Sequence, residues 1–300
     1  MDAKRVIGVD LGGTKIATGS VDAGGVLHER HEVPTPTESQ AELLDAIVSA
    51  IEPLADERVD AIGFGIPSVI DRTTGRALGS TNIPLQDVAL GDLTQERFGV
   101  PAYVENDANA AAFAEWRLGA GKGAEDLVVL TLGTGVGGGL VLGGALYRGI
   151  AELGHVVVVA DGPPCQGRCN GRGHLESFAS GNAGDRAAEK LWGEGATAEL
   201  LVGRAQEGDA AALEALSGIG HMLGVAIGSF VNMFAPELVI VGGGFGLAAF
   251  ELLVPAAHEV ARRENVEPDV LPVKIVRAEL GSDAGLIGAG LLAFEALGAR

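Results

Sequence analysis

Hydrophobic and polar positions along this chain fall into two alternating patterns. Short apolar runs rich in β-branched residues predict strands at Arg5–Asp10 (RVIGVD), Ile16–Val21, Val59–Ile66, Val100–Val104, Asp126–Leu132, Leu238–Val241 and Val273–Val276. Between them the spacing changes to that of a helix. Leu43, Leu44, Ile47, Val48, Ile51 and Leu54 share one stripe over Ser39–Leu54, with Thr37 and Gln40 as a capping box ahead of it. Further helices are predicted over Ala108–Leu118, over about 183–207, 209–232 and 246–264, and after Ser282. Strands that alternate with helices predict an α/β protein.

The pattern also repeats. Arg5–Asp10, a glycine turn and Ile16–Val21 form one strand–turn–strand unit, and Asp126–Leu132 opens a second that runs to Leu142. Asp10-Leu11-Gly12-Gly13-Thr14 and Thr131-Leu132-Gly133-Thr134-Gly135 take equivalent places in the two, which predicts two related halves. Two uncharged runs, Leu127–Tyr147 and Ala215–Pro236, are rich in glycine or carry His221 and Asn232, and so read as buried elements rather than membrane spans.

Composition narrows the function. The 300 residues, 47% of them hydrophobic and 20% charged, suffice for large cores and exclude disorder. A net charge of -19 repels phosphate backbones and anionic lipid, so neither a nucleic acid nor a membrane is expected as partner. Nothing at the N-terminus reads as a signal peptide, and the cytoplasm is the expected compartment. The 47 glycines exceed the usual ~7% share and suit nucleotide-binding loops.

Four groups of residues carry candidate chemistry. Gly12-Gly13-Thr14-Lys15 and Gly133-Thr134-Gly135 offer unhindered backbone N–H groups to phosphate oxygens, or are simply tight turns. Strand follows each, so neither is a P-loop or a Rossmann fingerprint; Gly242-Gly243-Gly244 does pass from strand to helix. Asn106 and Asp107 stand where a strand meets a helix, at the edge where α/β sheets bind ligands. There Asp107 serves as a general base or as a helix N-cap. Glu152, His155 and Glu176 offer several hydrogen-bonding groups to a hydroxyl-rich ligand, or are solvated loop charge. His155, Cys165, Cys169 and His174 are a candidate tetrahedral zinc set, against the alternative of two inert thiols.

Taken together, DLGGTK at Asp10–Lys15, END at Glu105–Asp107, LGTGVGGG at Leu132–Gly139, ELGH at Glu152–His155, CQGRCNGRGHLE at Cys165–Glu176 and VGGG at Val241–Gly244 resemble the ROK family of sugar kinases in order and spacing along nearly the whole chain. The resemblance implies an actin-like ATPase, hexokinase-type fold with a duplicated ribonuclease H-like motif, two α/β domains flanking a cleft. The boundaries expected are 1–112 with 284–300 for the small domain and 113–283 for the large. It implies ATP-dependent phosphorylation of a hexose, glucose first, at the 6-hydroxyl, with Asp107 as base. Asn82, Asn106, Glu152, His155 and Glu176 would hold the sugar. Gly12, Gly13, Thr14, Lys15, Gly133, Thr134 and Gly135 would contact phosphates, Asp10 would position Mg2+, and Gly243 and Gly244 would line the adenosine site. A structural Zn2+ on His155, Cys165, Cys169 and His174 and a homodimer complete the expectation.

The chain departs from the family pattern at three places. The usual CxCGxxGC loop has two extra residues between Cys165 and Cys169, and His174 stands where a third cysteine is expected. Ser68 replaces a glycine in GFGIPS, and the tryptophan that usually follows Thr81-Asn82-Ile83-Pro84 is missing, both with consequences expected for sugar preference. ROK repressors carry a helix-turn-helix domain ahead of the first motif; only nine residues precede Asp10, so no DNA reader is expected. A sugar-binding sensor without catalysis is the other non-enzyme reading, and a kinase for mannose, fructose or an N-acetylhexosamine is the alternative among enzymes.

Overall fold

The computed structural model describes residues 5–56, 58–71, 73–80 and 83–298. The chain divides into two compact units, Met1–Leu118 with Asp283–Arg300, and Gly119–Ser282.

The first unit begins with β1 (Arg5–Leu11), β2 (Lys15–Val21), β3 (Leu27–Pro34), α1 (Gln40–Ile51) and β4 (Val59–Ile66). A hairpin of β5 (Val69–Asp71) and β6 (Arg76–Gly79) follows, then α2 (Leu90–Phe98), β7 (Ala102–Asn106) and α3 (Asp107–Arg117). The main sheet has the order β3-β2-β1-β4-β7. β1, β2 and β3 are antiparallel neighbours, whereas β4 and β7 run parallel to β1. Ile7, Val9, Phe64 and Ile66 meet Leu43, Ile47 and Ile51 of α1 in one core, which is why the helical stripe read from the sequence is apolar.

The second unit repeats this plan. It contains β8 (Leu127–Leu132), β9 (Val136–Leu142), β10 (Ala145–Leu146), α4 (Glu176–Ala179), α5 (Gly181–Trp192), α6 (Ala198–Gln206) and α7 (Ala210–Phe234). β11 (Leu238–Gly242), α8 (Gly244–Ala248), α9 (Phe250–Glu264) and β12 (Ile275–Arg277) follow, and α10 (Ala284–Gly298) returns to the first unit. Its sheet order, β10-β9-β8-β11-β12, has the same directions: an antiparallel trio followed by two parallel strands. The expected duplication is present strand for strand.

Local chemistry corrects several predicted boundaries. The cap of α1 is Ser39, whose hydroxyl accepts the Glu42 N–H at 3.3 Å, and not the Thr37–Gln40 box. Gln40 instead accepts the backbone N–H of Gln86. The helix expected over 183–207 is two helices: Gly193 and Gly195 take positive φ, and Thr197 starts a new cap on Leu200. The helix expected over 246–264 is likewise divided, at Ala249, into α8 and α9. β3 went unread because its sequence, LHERHEVP, is polar on both faces.

α7 is long and apolar enough, by length and composition, to cross a membrane. Here it is the central helix of the second core, with Leu216, Leu223, Ile227 and Phe230 fully buried. Gly220 and Gly224 let it approach α9 closely, since a Cβ at either would strike the backbone oxygen of Leu253 or Ala257. Many glycines thus serve close packing rather than the nucleotide loops to which composition assigned them.

Candidate functional site

The parallel strands of the first unit end together, and the candidate carboxylates sit at those ends. Asp10 lies opposite Gly65 of β4, and Ile66 opposite Asn106 of β7. Gly65 leaves space for the neighbouring helix: a Cβ there would stand 3.5 Å from the Asp107 Cα and 3.6 Å from the Gly285 oxygen. Gly285 in turn packs against the Asp10 carboxyl group, 3.0 Å from where its own Cβ would be. Burial pushes the Asp10 carboxyl up to about 7, with the charges of Asp107 and Asp283 adding to the rise and Lys15 and Arg30 opposing it. Beside Asp10 is the first glycine turn, closed by the Gly12 N–H donating to the Lys15 carbonyl at 3.0 Å. Lys15 pairs with Glu32, which also accepts from Arg30 at 3.0 Å.

The alternative of Asp107 as helix cap is answered by geometry. Asn106 is the cap: its Oδ1 accepts the N–H groups of Ala108 at 3.0 Å and Asn109 at 3.1 Å. Asp107 is the first residue of α3, and its Oδ1 also accepts from Ala108 at 2.9 Å. Its carboxylate therefore lies in the first turn of α3, at the positive end of the helix dipole. The cap thus occupies the Asn106 oxygen. Beneath the junction, buried Glu105 accepts the Asn106 N–H at 2.9 Å and the Asn109 side-chain amide at 3.1 Å. The sequence assigns no role to Glu105, although it opens the END motif, or to Asn109, two residues beyond it.

In the second unit, the second glycine turn meets two helix starts. The Gly133 N–H donates to the Gly135 carbonyl at 2.9 Å, and the Gly133 carbonyl accepts the first N–H of α5 from Gly181 at 2.6 Å. Gly243, at φ 79°, lies against the Leu132 backbone, where a Cβ would stand 2.5 Å from its oxygen. Gly244 begins α8 with open space around it. Thr134 is exposed, so the turn is accessible.

The metal-ligand set converges fully. The donor atoms of His155, Cys165, Cys169 and His174 lie within 4.8 Å of one another. His155 Nδ1 and His174 Nδ1 are 3.2 Å apart, and each stands 3.6 Å from a cysteine sulfur, His155 from Cys165 and His174 from Cys169. A tetrahedral zinc with Zn–N of ~2.0–2.1 Å and Zn–S of ~2.3 Å requires about 3.3 Å between its nitrogens and about 3.6 Å from nitrogen to sulfur. The residues fit that ion. Burial pushes the Cys165 thiol up to about 11, with Cys169 and Glu176 nearby raising it further, so the metal-free loop keeps it protonated and a cation is needed to stabilise the thiolate.

The geometry also separates two expectations placed on His155. Its Nδ1 faces the sulfur and imidazole donors, while its Nε2 points to Glu152, 3.8 Å from Oε2. Glu176 has one oxygen on each side of the loop: Oε2 accepts the Val136 N–H at 2.9 Å, and Oε1 is 3.9 Å from the Cys165 sulfur. Gln166, which the sequence did not flag, fastens the loop by donating to the Glu176 carbonyl and the Ser180 hydroxyl, each at 2.9 Å. Asn82 lies outside the described residues. Ser68, expected to bear on sugar preference, is buried with its hydroxyl 2.9 Å from the Gly79 carbonyl, which places it in the β5–β6 hairpin.

Two sheets of the same order, each with a glycine turn after its first strand, define an actin-like ATPase, hexokinase-type fold. The ROK family profile matches residues 6–296, and the chain belongs to the ROK family. It is 36% identical to a glucokinase of Streptomyces coelicolor, over 96% of this chain and 97% of that one. Among solved structures, it resembles a ROK family glucokinase from Streptomyces griseus in complex with glucose and AMPPNP, at a TM-score of 0.86 and 35% identity, covering 97% of this chain and 99% of that one. A ROK hexokinase from Thermus thermophilus superposes at a TM-score of 0.84 and 38% identity, covering 99% and 100%.

Proposed function

We propose that this protein is an ATP-dependent hexokinase whose substrate is glucose. The observation that carries this reading is the gathering of Asp107, Asp10 and the Gly12–Lys15 turn at one end of the first sheet, in a chain that matches, over 97% of its length, a glucokinase solved with glucose and an ATP analogue. A base and a phosphate cradle side by side are what transfer from ATP to an alcohol requires.

Asp107 takes the proton from the sugar 6-hydroxyl as that oxygen bonds to the γ-phosphorus of ATP and the bond to the β-phosphate oxygen breaks, releasing ADP. Asn106, Glu152, His155 through Nε2, and Glu176 orient the remaining hydroxyls, with Asn82 assigned to the same task. The backbone N–H groups of Gly13, Thr14, Thr134 and Gly135, with the Lys15 ammonium, bind phosphate oxygens; Gly12 and Gly133 shape the two turns from within, their own N–H groups donating to the Lys15 and Gly135 carbonyls, and Gly243 and Gly244 line the adenosine site, Gly244 with open space around it. Mg2+, when bound, neutralises the phosphate charge. Asp10 is the residue to hold it: a carboxylate pushed to about 7 by burial and by Asp107 is one whose ionised form a cation favours. The zinc set is closed by four protein ligands, so it fixes Glu152, His155 and Glu176 in place and activates no water. A cytoplasmic homodimer belongs to the same reading, with the mass in solution as its check.

ADP release from Mg-ATP is the test, measured with glucose, mannose, fructose and N-acetylhexosamines. Highest kcat/KM on glucose supports the reading, highest kcat/KM on another sugar reassigns the substrate, and no turnover on any of them removes it.

A further inference from the structure

We propose that Thr35 is a positioning residue for the nucleotide phosphates, acting through the Gly12–Lys15 turn; this rests on the kinase reading above. The Thr35 hydroxyl donates to the Gly12 carbonyl at 2.7 Å. Its backbone N–H donates to the Thr14 carbonyl at 3.0 Å. One buried residue thus holds two carbonyls of the turn toward the end of β3.

The consequence is electrostatic. The Gly12 N–H is directed inward to the Lys15 carbonyl, and among the described residues no hydrogen bond takes the N–H of Gly13 or Thr14. The Gly12 carbonyl shares its peptide plane with the Gly13 N–H, so anchoring that carbonyl to Thr35 aims this donor to the opposite side, and nothing stands within 4 Å of the position a Gly13 side chain would take. Successive N–H groups left without a partner in such a turn form an anion-binding concavity. A carbonyl free to rotate into it would set its lone pairs against phosphate oxygens.

The sequence around Thr35 fixes its place. Pro34 pairs with Lys15 at the end of the β2–β3 ladder, and Pro36 follows. A proline locks its own φ and holds the residue before it extended, so Thr35 has little freedom to move from the turn. Thr35 touches no substrate in this assignment and acts only through the turn.

Thr35→Val tests this, because it keeps the β-branched shape and the backbone N–H and removes only the hydroxyl donor. The KM for ATP is expected to rise about three- to tenfold, the range that loss of one such hydrogen bond produces, with the KM for glucose little changed. Thr35→Ser, which retains the donor, should return the ATP KM to near the wild-type value, and Thr35→Ala serves as second variant in case valine impairs folding. An unchanged ATP KM, an equal rise in both KM values, or no recovery with serine overturns the proposal while leaving the kinase reading intact. Should the wild-type protein phosphorylate no sugar, the kinase reading fails, and calorimetric titration of Mg-ADP decides Thr35 by itself. Weaker binding by Thr35→Val with recovery in Thr35→Ser then sustains the positioning role; equal affinities, or no nucleotide binding by the wild type, end it.

Discussion

Glu176 accepts the backbone N–H of Val136 at 2.9 Å, so a carboxylate directly after the metal loop is fastened to the strand directly after the second glycine turn. The space it fills is there because residue 135 is glycine: a Cβ at Gly135 would collide with the Glu176 carboxylate. The segments proposed for sugar recognition and for phosphate binding, which lie in different motifs of the sequence, are therefore joined by one side chain.

This link gives metal removal a specific signature. Purified protein should contain about one zinc per chain, as a closed four-ligand site requires. Stripping it with a chelator is expected to raise the KM for glucose and also the KM for ATP, because Glu176 loses the loop that holds it. Elemental analysis and two substrate titrations check this; a chelated enzyme with an unchanged ATP KM would break the proposed link between loop and turn.

Asp107→Asn should lower kcat by ~10²–10⁴-fold, the contribution of a positioned general base, with glucose affinity nearly intact. Stability should not fall, because the cap of α3 is Asn106. Asn106→Ala, by contrast, is expected to cost about 1 kcal/mol of stability as well as sugar affinity. Thermal unfolding of both variants beside their kinetics separates the two roles.

What the sequence made readable, and what it did not, follows from the range of the interactions. The glycine turns, the END junction and the metal set are local or lie within 20 residues of one another, and their order and spacing revealed them. Thr35 and Glu176 act through backbone groups of distant segments, at Gly12 and Thr14 and at Val136. A backbone N–H or carbonyl has no residue identity, so no pattern of side chains announces its partner. β3 escaped for a related reason: it bonds to β2 along its length while exposing His28, Arg30 and Glu32, and periodicity detects a strand only through a buried face. The glycine count was read toward loops, yet Gly220 and Gly224 lie on a helix face, where their purpose appears only once α9 is seen against them.

That packing yields a paired prediction within one helix. Gly218 and Gly224 both belong to α7; Gly218 faces open space, whereas a Cβ at Gly224 would lie 2.5 Å from the Ala257 oxygen. Gly218→Ala should gain about 0.5–1 kcal/mol from helix propensity alone. Gly224→Ala receives the same gain but must push two helices apart, an overpacking cost of ~1–3 kcal/mol or more, so the net effect is destabilising. Denaturant unfolding of the two variants should move the midpoint in opposite directions.

Asp10 supplies the pH dependence. Its carboxyl is held near 7 in the folded chain, against 3.8 for the ordinary group, so between those values the folded state binds more protons than the unfolded one. Stability from this group is therefore fully present below about pH 4, falls as pH rises through that window, and stays low above about 7. Asp10→Asn removes the penalty of ionising a buried carboxylate beside Asp107, and at pH 8 it should stabilise the protein by up to ~4 kcal/mol while abolishing most activity. At pH 4 the two proteins should unfold at nearly the same temperature. Mg2+ should stabilise the wild type at pH 8 and act much less on Asp10→Asn, since a ligand that prefers the folded state stabilises in proportion to its binding. Thermal unfolding at both pH values, with and without Mg2+, reads out all four states. An Asp10→Asn variant no more stable than the wild type at pH 8 would mean that Asp10 is solvated well enough to ionise freely, and its place as the cation-holding residue would then rest on kinetics alone.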